Sequence, residues 1–272
     1  MSKKIEKVPS PKQVFEHVKL DYTNISVGAH DNINFGFKFQ VMPFDYLSYA
    51  QKDMSEISPK GLINALSNAK RSIDCLIEVV LRSLSIDPNN IEKSALDFCA
   101  HVLSEKEQDI KPMSLRLFCA LGFAPSFMIS EVRNLRNKVE HEFHIPEELE
   151  VVRALEVSEL LINNVKAKEI FSSTIDISDV KRYEKAGEGY ITGVYFEQDY
   201  KTGGFKLSGT GKCGLEVEYE FNANETEYFY LLRAMFVADH DREKLVTTIY
   251  KLLDVLDIAT PSEFRKVRSV HR

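Results

Sequence analysis

From Pro43 to Ile170 apolar residues recur at three- and four-residue steps, the spacing of amphipathic helices, whereas over Ile33–Val41 and in segments after Phe171 they alternate with polar ones. Ile33, Phe35, Phe37, Phe39 and Val41 stand at every second position, which predicts a strand whose partner is not evident. Met1 to Ser10 reads as a polar tail. A loose helix is expected over Tyr46–Met54, and a strong one begins at Ser58-Pro59, an N-cap followed by a proline whose missing N–H costs nothing in the first turn. Leu62, Leu66, Ala69, Ile73, Leu76, Val80 and Leu84 give that helix one apolar face, and its end is expected near Asp87-Pro88. Ile91–Leu103 and Ser114–Phe123 predict shorter helices around a charged connection, Ser104–Lys111. Ser130–Phe143 predicts another. A last helix follows Pro146, with Glu147 and Glu148 where the helix dipole favours acids and Leu149, Val152, Leu155, Ile162 and Val165 as its buried side.

Around Phe171 the pattern changes. Tyr190–Phe196 and Leu215–Phe221 alternate as half-buried strands do, Phe205–Leu207 suggests a third, and Thr226–Val237 and Arg242–Leu256 return to helical spacing. The basic stretch from Pro261 to Arg272 reads as a mobile terminus. The expected fold is therefore mainly α: a four- to five-helix bundle followed by a small α+β domain. The expected division is an N-terminal extension with a strand (1–42), the helical domain (43–171) and the α+β domain (172–272).

Composition narrows the function classes. The 272 residues are 44% hydrophobic and 28% charged, as in an ordinary globular protein. The longest nearly uncharged stretch, Phe118–Ile129, is broken by Gly122, Pro125 and Ser126 and is far short of a bilayer span. The lysines near the start have no apolar core behind them, so no secretory signal is read there. Cys75, Cys99, Cys119 and Cys213 lie far apart and form no C-x-x-C pair, which suits reduced thiols and a cytoplasmic protein. A net charge of −6 argues against coating nucleic acid by bulk attraction, so any contact with RNA must be local.

One helix carries candidate chemistry. On a wheel of about 100° per residue, Val132, Leu135, Val139 and Phe143 share an arc expected to face the core. Arg133, Asn134, Asn137, His141 and His144 lie away from it, and Arg136 is at the border. The spacing by itself is equally that of a solvated helix face.

The segment Glu131–Phe143, EVRNLRNKVEHEF, resembles the signature helix of the HEPN superfamily: an arginine, a polar residue directly after it, and a histidine after four intervening positions, here Arg136, Asn137 and His141. Asn64–Asp74, NALSNAKRSID, is similar to an early helix of some bacterial members, and the resemblance covers roughly residues 43–170. It implies a metal-independent endoribonuclease of the kind bacteria use as toxins or antiphage effectors, needing no cofactor and working as a homodimer with both copies of the motif lining one cleft. The ribose 2′-hydroxyl beside the scissile phosphate is the nucleophile, so the protein has only to move protons and stabilise charge. His141 would be the general base or acid, Arg136 would bind the phosphoryl oxygens, and Asn137 would orient either. Arg133, Lys138 and His144 would add contacts to RNA. The implied products are a 2′,3′-cyclic phosphate and a 5′-hydroxyl. The same fold also serves without cleavage, so the alternative is a noncatalytic dimer that binds a nucleotide or a protein. The α+β domain would then take a regulatory protein or a small ligand, with no residue singled out for it.

Other patterns carry less. His141-Glu142-Phe143-His144 does not have the H-E-x-x-H spacing of a zinc helix. Gly209–Gly214 matches G-x-G-x-x-G, but a strand follows it where a dinucleotide site needs a helix, so a glycine-rich hairpin is expected. Lys70 and Asp74 are spaced for a surface ion pair.

Overall fold

The computed structural model describes residues 5–22, 24–30, 35–56, 58–167, 174–179, 193–199, 204–211, 215–237, 242–259 and 266–270. Across these the chain is mainly helical with a smaller α+β part. It separates into two units. One is helical and comprises Phe35–Ile91 and Leu103–Lys168; the other, built on a sheet, comprises Met1–Asn34, Glu92–Val102 and Glu169–Arg272. Both units are thus discontinuous in sequence, unlike the three consecutive segments expected. The N-terminal residues and one helix from the middle of the chain belong with the sheet.

In the sheet unit the strands are β1 (Ile5–Lys7), β2 (Asn24–His30), β3 (Thr174–Asp179), β4 (Gly193–Gln198), β5 (Phe205–Thr210), β6 (Glu216–Phe221) and β7 (Lys266–Val270). Their order is β1-β6-β5-β4-β3-β2-β7. β1 runs parallel to β6 and β7 parallel to β2, and the remaining neighbours are antiparallel. Two sequence expectations are corrected here. Residues 5–7 are an edge strand rather than part of a tail, and residues 266–270 are the opposite edge strand rather than a mobile terminus. Short strands of this kind have too few residues to show a period and owe their structure to backbone pairing with distant segments. The glycine-rich hairpin stands, with Thr210 opposite Glu216 in register; Lys212–Gly214 lie outside the described residues.

Among the described residues four helices belong to this unit, two packed on strands and two packed on one of those helices. α1 (Pro11–Val18), too short to be read from periodicity, buries Val14, Phe15 and Val18 and packs on β5. The helix Thr226–Val237, labelled α9 below, sets the buried Tyr228 among Phe196, Phe205 and Phe221. α4 (Lys93–Val102) was expected in the bundle, but its aromatic partners are on α9: Phe98 stacks on Phe229 at 5.6 Å and meets Tyr230 edge-on at 5.0 Å. The helix Arg242–Val255, labelled α10, packs against α9.

The helical unit holds α2 (Pro43–Met54), α3 (Pro59–Ser83), the single turn α5 (Glu105–Gln108), α6 (Met113–Ala120), α7 (Ser126–His141) and α8 (Glu148–Lys166). α3 is the hub, in contact with α2, α6, α7 and α8. The Ser58 hydroxyl caps it by accepting from Gly61 N–H at 3.0 Å, as the sequence indicates. It stops at Ser83, before the predicted Asp87-Pro88, because Ser85 takes a left-handed backbone (φ 59) and Ile86 N–H closes back on Leu81 C=O at 2.9 Å. The buried side of α8 is shifted from the expected one. Val151, Ala154, Ser158, Leu161 and Val165 are buried, while Leu149 is 56% exposed. The small residues face α3, and the Ser158 hydroxyl donates to Ala69 C=O at 3.0 Å.

The strand expected over Ile33–Val41 is not formed at residues 35–39, and Ile33 and Asn34 lie outside the described residues. The period-two burial is nonetheless real: Phe35 is buried, Gly36 and Lys38 are exposed. Phe35 meets Phe123 edge-on at 5.7 Å, Phe37 and Phe39 sit under the Arg82 guanidinium, and Phe37 N–H donates to Ser83 Oγ at 3.1 Å. The segment packs against helix residues and donates a backbone N–H to a side chain, which alternation alone cannot distinguish from a ladder.

The three described cysteines are free, with Cys99 and Cys119 buried and Cys75 partly so. Burial, reinforced by nearby Glu78, Asp45 and Asp74, pushes the Cys75 thiol up to about 11, which makes it a poor nucleophile. Among the described residues no helix is long and apolar enough to cross a membrane.

Candidate functional site

α7 begins earlier than its polar residues suggest, at Ser126 after Pro125, and anchors itself through Ile129, Val132 and Val139. It ends at His141. Phe143 adopts a left-handed backbone (φ 53), Glu142 N–H bonds to Lys138 C=O at 2.9 Å, and the chain turns toward α8. Phe143, expected on the core arc, is therefore past the helix end and 88% exposed. Three core positions suffice to orient the helix, and they leave Asn134, Asn137, Lys138 and His141 exposed.

Arg136 sits closer to the core side than its neighbours. Its guanidinium pairs with Glu140 one turn on, and its Nε is buried without a hydrogen-bond partner among the described residues. His141 is five residues later, roughly 140° further round the helix. A single copy of α7 thus turns the two side chains in different directions, while Asn137 and His141, one turn apart, share a face.

Among the described residues of the helical unit, this helix borders a larger and a smaller cleft. The larger, about 880 Å³, lies between residues 106–113 and α7 and is lined by Lys106, Asp109, Lys111, Arg133, Asn134 and Asn137 among others. The smaller, about 290 Å³, lies between α7 and α8 and is lined by Glu131, Leu135, Lys138, Glu150, Arg153 and Val157 among others. Arg136 and His141 line neither of these two.

The residues expected to contact RNA are therefore dispersed. Arg133 lies in the larger cleft but is held from below, donating through Nη1 to Asp74 Oδ1 at 2.7 Å, with Lys70 on the other oxygen of that carboxylate. Lys138 lies in the smaller cleft, amid charges of both signs. His144 is beyond α7, with its Nε2 3.7 Å from Glu150 at the start of α8. The Glu150 carboxylate also accepts from Glu147 N–H at 2.9 Å, so it serves mainly as a helix cap.

Comparison with known protein families, with characterised proteins and with solved structures gives no match for this chain. The reading of the site rests on its residues.

Of the four residues that set the electrostatics here, the sequence singled out only Asp74, as the ion-pair partner of Lys70 that it is. Glu140 was legible, since it stands four residues after Arg136 on the same helix. Asp74 had a partial signal, lying in the polar flank of α3 together with Lys70, but its contact with Arg133 spans 59 residues. Lys106 and Lys111 belong to a charged connection with no period, so nothing in their order placed them beside α7.

Proposed function

We propose that this chain is a metal-independent endoribonuclease with a HEPN-like helical domain, acting as a homodimer in which two copies of α7 meet. The observation that carries the reading is the exposed Asn137/His141 face at the end of α7, with an arginine one position before it on a helix anchored by its other side. In this mechanism His141 removes the proton from the ribose 2′-oxygen as that oxygen bonds to phosphorus. The bond from phosphorus to the 5′-oxygen breaks, and a protonated histidine returns a proton to the leaving oxygen. The products are a 2′,3′-cyclic phosphate and a 5′-hydroxyl. Arg136 exchanges its bond with Glu140 for the phosphoryl oxygens, where negative charge builds up. Because Arg136 and His141 diverge on one helix, pairing two copies is the simplest way to aim both at one phosphate. A role as a bacterial toxin or antiphage effector belongs to the same proposal.

A second reading is favoured by one contact: with Glu140 holding Arg136, the helix also suits a noncatalytic dimer that binds a nucleotide or a protein. Incubating the purified protein with total RNA separates the two, with a chelator present in a parallel reaction. Cleavage that disappears in both Arg136→Ala and His141→Ala supports the ribonuclease. No cleavage by the unmodified protein favours the binding module, and cleavage that persists in both variants removes the site.

A further inference from the structure

The charged residues that line the larger cleft are mostly cations, opposite in sign to the net charge of the whole protein. The chain carries −6 overall, yet Lys106, Lys111 and Arg133 face this groove against the single acid Asp109. Arg133 is already committed to Asp74, but Lys106 and Lys111 are exposed and unpaired among the described residues. The opposite wall offers the amides of Asn134 and Asn137, which donate to phosphate oxygens without adding charge. Asn137 also ties the groove to the candidate chemistry, because His141 follows it by one helical turn on the same face.

We propose that this groove holds the phosphate backbone of single-stranded RNA, with Lys106 and Lys111 as the neutralising charges, and leads the strand toward His141. The inference rests on the ribonuclease reading above and extends it to the substrate's path. A single strand fits better than a duplex, because the 2′-oxygen must swing in line with the leaving 5′-oxygen and a paired helix holds it out of line. A strand tracked through its backbone also needs only cations and amide donors, which are the groups present.

The test is binding of a fluorescent, uncleavable 2′-O-methyl single strand to the full chain, followed by anisotropy over a range of salt. Each backbone charge neutralised on a single strand contributes about 0.7 to the slope of log affinity against log salt, so Lys106→Ala/Lys111→Ala lowers that slope by about 1.4. Between about 50 and 200 mM salt the affinities of the parent and the variant then converge by about sevenfold. Lys52→Ala/Lys60→Ala, at exposed positions on other parts of the unit, leaves the slope unchanged, and equal melting temperatures show that both variants fold. An unchanged slope in the groove variant overturns the proposal, as does an equal fall in the control pair or a parent protein that binds no single strand. RNA cleavage that depends on His141 together with an unchanged slope defeats the groove alone. A slope that falls as expected in a protein that cuts no RNA defeats the cleavage reading alone.

Discussion

Gly209 is where the packing of α1 on the sheet can be tested most sharply. A Cβ added to it would stand 2.7 Å from both Val14 Cγ1 and Val18 Cγ2 and 3.3 Å from Val14 C=O. Apolar carbons rest about 3.5–4.0 Å apart, so each methyl would have to retreat by about 0.8 Å or more. Neither can turn aside cheaply. Val14 and Val18 are 0% and 1% exposed, and β-branched residues in a helix have one strongly preferred rotamer, with departures costing about 0.5–1.5 kcal/mol each. Gly209 has no positive φ, so alanine meets a steric obstacle rather than a backbone one. Overpacking of this kind costs about 1–3 kcal/mol, and the stiffer unfolded chain returns about 0.4–1 kcal/mol. Gly209→Ala should therefore destabilise the sheet unit by about 1–2 kcal/mol. Val14→Ala removes one of the two obstructing methyls, so the double variant should be less damaged than the sum of the single ones, by about 1 kcal/mol. Thermal denaturation gives the size of the effect, and hydrogen exchange at the β5 amides locates it in this unit. A Gly209→Ala protein as stable as the parent, or a strictly additive pair, would refute the reasoning.

Three further outcomes are expected. A double-mutant cycle on Asp74→Ala and Arg133→Ala should give a coupling of about 1 kcal/mol or less that shrinks with salt, since the pair is a quarter to a third exposed; no coupling at low salt would mean that Arg133 is not held from α3. Ser158→Ala should cost about 1 kcal/mol in a melting experiment, because the hydroxyl is buried and donates to Ala69 C=O between α8 and α3. The third concerns pH. Burial, with Lys251 nearby, lowers the pKa of His101, whose Nδ1 is 2.5 Å from the Tyr230 hydroxyl, while Asp254 opposes the shift weakly. The unfolded chain then takes up the proton first. The stability that His101 contributes is present above about pH 6.5 and is lost as pH falls toward its lower value in the folded protein. Melting temperatures of the parent and of His101→Gln, followed between pH 7.5 and 5, should diverge in that direction; parallel curves would count against it.

Local order along the chain determined a good deal. The Ser58-Pro59 start of α3, the acidic first turn of α8, the strand character of β4 and β6 and the limits of α9 all follow from interactions within a few residues, so neighbours in sequence suffice to encode them. The outward face of α7 was legible for the same reason: three apolar positions orient a helix wherever it docks. Tertiary structure decided which surface each apolar face would meet. Ile5 pairs with Glu216, Asn24 with Lys266, and Phe98 with Phe229. At the candidate site it decided that Asp74 would hold Arg133 and that Lys106 and Lys111 would border Asn137. An amphipathic pattern states that a side must be covered and is silent about by what, because hydrophobic burial has no direction and a lysine in a charged connection has no period.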